Sequence, residues 1–264
     1  MNSPIEFVTE TETLISPWHK PKPATFDDQI LKPDYKHLRL KFEEGQTWLR
    51  ILPALKPSTF SWCMPVLSMN YPGGRFAHPK TLKSNARSVF DLAYNWIKEN
   101  HSVGLFSKEN KGGIRLFPDP LCLFWVIVEI EGKTVPRLLL ASGYDGSRGG
   151  VGGLGYELWR AILDKDETGA LKADAIDPEE GRMIGIKKAQ VRGAKYANFS
   201  VRVGNQPAPL EPLLEKMTPE DRALLVPLEQ VIEELSAEDQ WVCLSKMMAP
   251  EHLARIKKDM TKAG

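Results

Sequence analysis

The chain has 264 residues, 42% of them apolar, and a formal net charge of +1. Such totals fit one large soluble domain, or one domain with substantial appendages. Cys63, Cys122 and Cys243 are odd in number and lack CxxC spacing, so they imply neither a disulfide framework nor a zinc site. The longest apolar run, Leu121 to Val128, is too short to span a bilayer. Met1 to Thr13 is polar and acidic, unlike a secretory signal, so a soluble, cytoplasmic protein is expected. Charge is unevenly spread: residues 206–264 hold seven Lys/Arg against eleven Asp/Glu. A basic body with an acidic C-terminal part is compatible with a polyanionic partner.

In chain order, residues 1–37 are rich in proline and polar groups and read as an extended arm. Leu38, Leu40 and Phe42 alternate with Arg39 and Lys41 as a first half-buried strand. Glu43-Glu44-Gly45 is a turn, and a second strand follows from Gln46 to Leu52. Thr47, Leu49 and Ile51 share one face of it; Trp48, Arg50 and Leu52 share the other. Trp48 and Arg50 form either a stacking-plus-phosphate pair or part of a sheet covered on both faces.

Phe60 to Tyr71 is an extended aromatic run, turned by Pro72-Gly73-Gly74 into Arg75, Phe76, Lys80 and Lys83. From Ser84, a plausible N-cap, to Asn100 the apolar spacing becomes helical. Leu121–Ile130 and Thr134–Ala141 flank a Glu131-Gly132 turn as a hairpin. The continuous apolarity of its first strand predicts burial on both faces.

Gly150 to Gly155 reads GVGGLG, matching GxGxxG before a helix at Tyr156–Leu163. A dinucleotide site would need the turn directly after a strand and a second apolar strand after the helix. Neither is present. A loop that orders around a ligand, with Arg148 as its charge, is the alternative.

Gly181 to Leu210 holds six Lys/Arg and no acid. Two extended runs around Arg192-Gly193-Ala194 predict a hairpin carrying Arg182, Lys187, Lys188, Arg192 and Lys195. Along its second run Ala197, Phe199, Val201 and Val203 belong to a core, while Tyr196, Asn198, Ser200 and Arg202 face the other way. An aromatic ring and a guanidinium on one outer face suit base stacking and phosphate neutralisation. Prolines 207, 209 and 212 then mark a boundary, and capped helices follow from Thr218, Ser236 and Pro250. No nucleophile–base or metal motif stands out, since the five histidines are scattered. A binding protein without cofactor or metal is expected, not an enzyme.

The segments WLRILP at Trp48–Pro53, GRMIGIKK at Gly181–Lys188, YANFSVRV at Tyr196–Val203 and the exit at Pro207–Pro209 resemble the single-stranded DNA-binding proteins of tailed phages, the T-even helix-destabilising type. The resemblance covers roughly residues 38–210. It implies an α+β chain built on an OB-fold, a five-stranded antiparallel Greek-key barrel that binds strands with little sequence preference. The implied organisation is an arm at 1–37, an OB core at 38–206 and a helical interaction region at 207–264. The implied role is coating single-stranded DNA in replication, recombination or repair, in a host cytoplasm if phage-encoded.

This sequence departs from that type in two ways. It lacks the zinc ligands around Phe76 to Asn95, where a metal-free helical insertion is expected, and it ends in amphipathic helices instead of an acidic tail. The residues expected on DNA are Trp48, Arg50, Lys56, Tyr71, Arg75, Phe76, Lys80, Lys83, Arg87, Arg148, Arg182, Lys187, Lys188, Arg192, Lys195, Tyr196, Asn198 and Arg202. Two other readings stay open: a nucleotide-cofactor enzyme using Gly150–Gly155, and a scaffold whose C-terminal helices bind replication or recombination proteins or a second copy.

Overall fold

The computed structural model describes residues 27–56, 62–71, 74–86, 88–100, 118–142, 153–164, 175–189, 198–248 and 250–263. Within the stretch read as an arm, β1 (Asp27–Gln29) and a helical turn α1 (Pro33–Lys36) are formed. The strand expected at Leu38–Phe42 is reduced to a parallel bridge, with Leu138 exchanging backbone hydrogen bonds with Leu38 and Leu40. Gly45, at φ +112°, opens β2 (Gly45–Ile51) in a region that favours glycine.

β3 (Met64–Tyr71) and β4 (Gly74–Ala77) pair antiparallel, and α2 (Val89–Asn100) follows. Its cap is Ser88, not Ser84. Ser88 Oγ accepts from the Asp91 N–H at 3.0 Å and donates to the Asp91 carboxylate at 2.7 Å.

β5 (Asp119–Ile130) and β6 (Lys133–Ser142) form the expected hairpin. Glu131 and Gly132, at φ 52° and 75°, give the mirror-image turn whose twist matches its strands. The chain continues through α3 (Leu154–Ile162), the hairpin β7 (Arg182–Ala189) and β8 (Asn198–Pro207), then α4 (Leu210–Glu215), α5 (Pro219–Ala223), α6 (Leu228–Val231), α7 (Ala237–Met247) and α8 (Pro250–Ala263). Thr218 and Ser236 cap α5 and α7 as their sequence predicts.

Among the described residues eight strands share one sheet, in the order β1–β4–β3–β5–β2–β7–β8, with β6 also on β5. Of these eight strands only β1 and β4 pair in parallel. The architecture is therefore α+β, a mostly antiparallel sheet flanked by helices. β6 occupies one edge of β5 from Leu121 to Ile130. Along the opposite edge β2 ends with Ile51 against Val126, and β3 begins with Met64 against Leu123. β2 and β3 thus lie end to end on a single partner.

β5 is buried on both faces, as its apolarity predicts. On one side Phe124 and Val126 join Leu49, Ile51, Leu139, Ile184 and Ile186 in an inner cluster closed by Leu154, Leu158 and Ile162 of α3. On the other, Leu123, Trp125 and Ile127 pack under Leu210, Met217, Leu228 and Val231. There the Trp125 Nε1–H donates to the Val226 carbonyl at 2.7 Å. Burying each such side chain stabilises by about 1.5–3 kcal/mol, so the C-terminal segment is held as part of the fold. A third cluster joins α2, α7 and α8 to the Met69 and Phe76 side of β3 and β4.

Arg50 locks the chain's return onto β2. Fully buried, it donates to the carbonyls of Ile51 and Ala175 at 2.8 Å, of Ala208 at 3.0 Å, and of Asp177. At the sheet's far flank Asp28 bridges Arg39 and Arg75. Burial pulls the Asp28 carboxyl upward, but the Arg75 hydrogen bond and the two guanidinium charges outweigh it and hold the pKa below its ordinary value.

Arg50→Lys keeps a charge but loses the fork of donors, and hydrogen bonds to charged groups are worth about 1.5–3 kcal/mol each. Urea unfolding of this variant is expected to give a stability about 2–4 kcal/mol lower. The depressed Asp28 pKa favours the folded state above its ordinary range, and that contribution disappears as pH falls through the folded value. Asp28→Asn is therefore expected to flatten the acid limb of stability against pH, measured as the unfolding midpoint between neutral and acid pH.

Candidate nucleic-acid interface

The middle of the interface is set by strand alternation. β2 and β7 pair with Trp48 opposite Gly185 and Gln46 opposite Lys187. β7 and β8 pair with Gly185 opposite Arg202, Lys187 opposite Ser200 and Ala189 opposite Asn198. These residues line one face, while Leu49, Ile184, Ile186, Val201 and Val203 point into the inner cluster. Three rows cross the strands: Trp48–Gly185–Arg202, Gln46–Lys187–Ser200, and Ala189–Asn198 at the hairpin end.

Gly185 makes the first row possible. A Cβ there would meet Gln46 Nε2 at 2.7 Å and the Trp48 ring at 3.0 Å. With no side chain in the way, the indole lies across the middle strand toward β8. The Arg202 guanidinium carbon sits 4.8 Å from the indole centroid, and its Nη2–H donates to Gln46 Oε1 at 3.2 Å. Trp48 retains 37% exposure, and Gln46, Lys187, Asn198, Ser200 and Arg202 are exposed around it. A half-open indole paired with a guanidinium and ringed by amide, hydroxyl and ammonium groups can stack a flat ring and neutralise anionic charge.

Other expected DNA-contacting residues go elsewhere. Arg50 shares the parity of Trp48, but the 175–181 segment and Ala208 cover it and take up its donors. Phe76 is 0% exposed, stacked between Tyr71 and Phe90 inside the third cluster. Tyr71 donates to Asp27 at 3.0 Å and lies under Lys246. Arg75 is held by Asp28, so it is a strut of the β1–β4 pair.

Lys80 and Lys83 pair with Asp91 and Glu234 at 2.9 and 2.8 Å, on the α2 flank. Lys188 faces opposite to Lys187, and its ammonium donates to the Phe42 carbonyl at 2.7 Å. Lys56 is exposed but lies beyond Arg50 along the chain. Arg182 is half-buried beside the platform, with Nη1 3.4 Å from the Gly204 carbonyl. Arg87, Arg148, Arg192, Lys195 and Tyr196 lie outside the described residues.

The structure adds Gln46 and Arg160, which the sequence reading missed. Gln46 is the strand-face neighbour of Trp48 at i−2, a signal the alternation already contained. Arg160 comes from α3, whose proximity to β8 no local pattern reveals.

Gly150, Val151 and Gly152 also lie outside the described residues, while Gly153 caps α3 and Leu154 and Gly155 open it. The strands on either side of α3, β6 and β7, are separated in the sheet by β5 and β2. Three antiparallel pairings make them antiparallel to each other, so they do not form the parallel βαβ unit of a dinucleotide site.

Among the described residues no three His, Cys, Asp or Glu are grouped to hold a metal. Cys63 sits in the inner cluster, whereas buried His78 contacts Ser88 and the Lys80 N–H beside α2. No helix among the described residues is long and apolar enough to cross a membrane.

Gly185→Val is expected to push the indole of Trp48 away from Arg202. In protein labelled with 5-fluorotryptophan, the fluorine resonance assigned through Trp48→Phe is expected to move, with the other resonances in place. No protein-family model matches the chain, and no curated protein matches it.

Proposed function

We propose that the chain binds single-stranded DNA without sequence preference, stacking bases on Trp48 and neutralising phosphates with Arg202 and Lys187. The role that fits is coating and protecting exposed strands during replication, recombination or repair. The observation that carries this reading is the Trp48 indole laid across Gly185 beside the Arg202 guanidinium, 4.8 Å away, on an open sheet face.

Strand order supports it. β7–β2–β5–β6 follows the 4-1-2-3 order of a Greek key, with β3, β4 and α2 as an insertion between its first two strands. β8 adds a fifth strand beside β7, and α3 packs into the inner cluster. That arrangement is consistent with a partly open OB barrel, a fold that binds single strands through a groove and aromatic side chains.

Titration with an oligo-dT, followed by tryptophan fluorescence, tests the reading. Binding is expected to be much tighter than to duplex and to weaken steeply with salt. Trp48→Ala is expected to cost about 1–3 kcal/mol of binding free energy. Lys187→Gln is expected to reduce the salt slope by about 0.7, the value for one lost phosphate contact on a single strand, while Lys188→Gln leaves it nearly unchanged. Equal affinity for duplex, or binding indifferent to salt, would overturn the proposal.

A further inference from the structure

The outer face that carries Trp48 is open in only some directions. Toward β5 and β6 it runs under the cluster built from Leu210, Met217, Leu228 and Val231. Along β2 it stops at Arg50, beneath the 175–181 segment. Over the edge of β8, however, it continues into a groove of about 670 Å³ between that strand and α3.

Arg202 belongs to both surfaces, so platform and groove are continuous. Arg160 from α3 and Arg182 from β7 line the groove with it, and Asn205 adds an amide. Glu157 and Asp164 are the opposing charges. Among the described residues Arg160 and Arg182 make no ion pair.

We infer that this groove holds the phosphodiester backbone of the strand whose base rests on Trp48, so that single-stranded DNA crosses the β8 edge. The inference rests on the single-strand-binding reading above and deepens it by assigning the strand's route. Arginines from three different elements line it, and guanidinium is the side chain best matched to phosphate oxygens, offering a planar fork of donors. The two carboxylates keep the groove's charge modest. That suits a weak grip on a polyanion that must be released.

Arg160 is the residue to change, because it is exposed on α3 and its side chain carries none of the core. Arg160→Gln, full-length, is titrated with a labelled oligo-dT over a salt series. The slope of log affinity against log salt is expected to fall by about 0.7, which is about fivefold weaker binding at ~0.1 M salt. The Trp48 quench at saturation is expected to stay as in the parent protein. Asp164→Asn is expected to tighten binding.

If the parent binds with a Trp48-dependent quench but neither Arg160→Gln nor the double variant Arg160→Gln/Arg182→Gln changes the slope, the groove assignment is wrong and the platform stands. If the parent does not bind oligo-dT at all, the underlying reading fails with it.

Discussion

The fold turns on one buried guanidinium. Arg50 projects from the middle of the sheet into a fully buried position and spends its donors on backbone carbonyls at Ile51, Ala175, Asp177 and Ala208. Two of these belong to the segment that precedes β7, and one to the segment that follows β8. A single side chain therefore clamps both ends of the β7–β8 hairpin against β2. Gly181 is required beside it, because a Cβ there would collide with the guanidinium. The direction in which the chain leaves β8, and so the laying of α4 to α6 across β5, follows from that clamp.

The clamp also divides the outer face of the sheet. On one side lie Leu123, Trp125 and Ile127, sealed by the C-terminal segment; on the other lie Trp48, Lys187 and Arg202, left in solvent. The sealed half is apolar and the open half is polar, cationic and aromatic. The division has an energetic basis: burying a cation without partners costs far more than burying leucines gains. The same strand, β2, supplies both Arg50 and Trp48, two residues apart, and only the cover decides which one is structural.

How much of this could be read in advance depended on the range of the contact. Alternation along β2 and β8 gave the correct faces, since successive side chains on a strand must point to opposite sides. The β5–β6 hairpin was legible because its turn residues and both strands are contiguous. The same rule of alternation shows why Lys187 and Lys188 were not both available, although the sequence reading took both.

The sequence leaves Arg50 open between an outward cation and a covered one, because its cover arrives from residues 175–208, which no local pattern around residue 50 encodes. Phe76 and Tyr71 look like stacking rings in the sequence, yet the α2 and α7 partners that enclose them are remote along the chain. Ser84 has a cap's chemistry, but Ser88 has an acid three residues on whose carboxylate accepts its hydroxyl proton.

β5 is the common spine of two sub-sheets, since β2 and β3 share one of its edges while β6 takes the whole of the other. Its amides are screened by a ladder on each edge and by an apolar layer on each face. Each comes free only when the ladder it belongs to opens together with the apolar layers over it. Hydrogen exchange along Leu121–Val128 is thus tied to global unfolding, whereas the β7–β8 hairpin, with strands on one side only, can breathe at its rim while the spine stays shut.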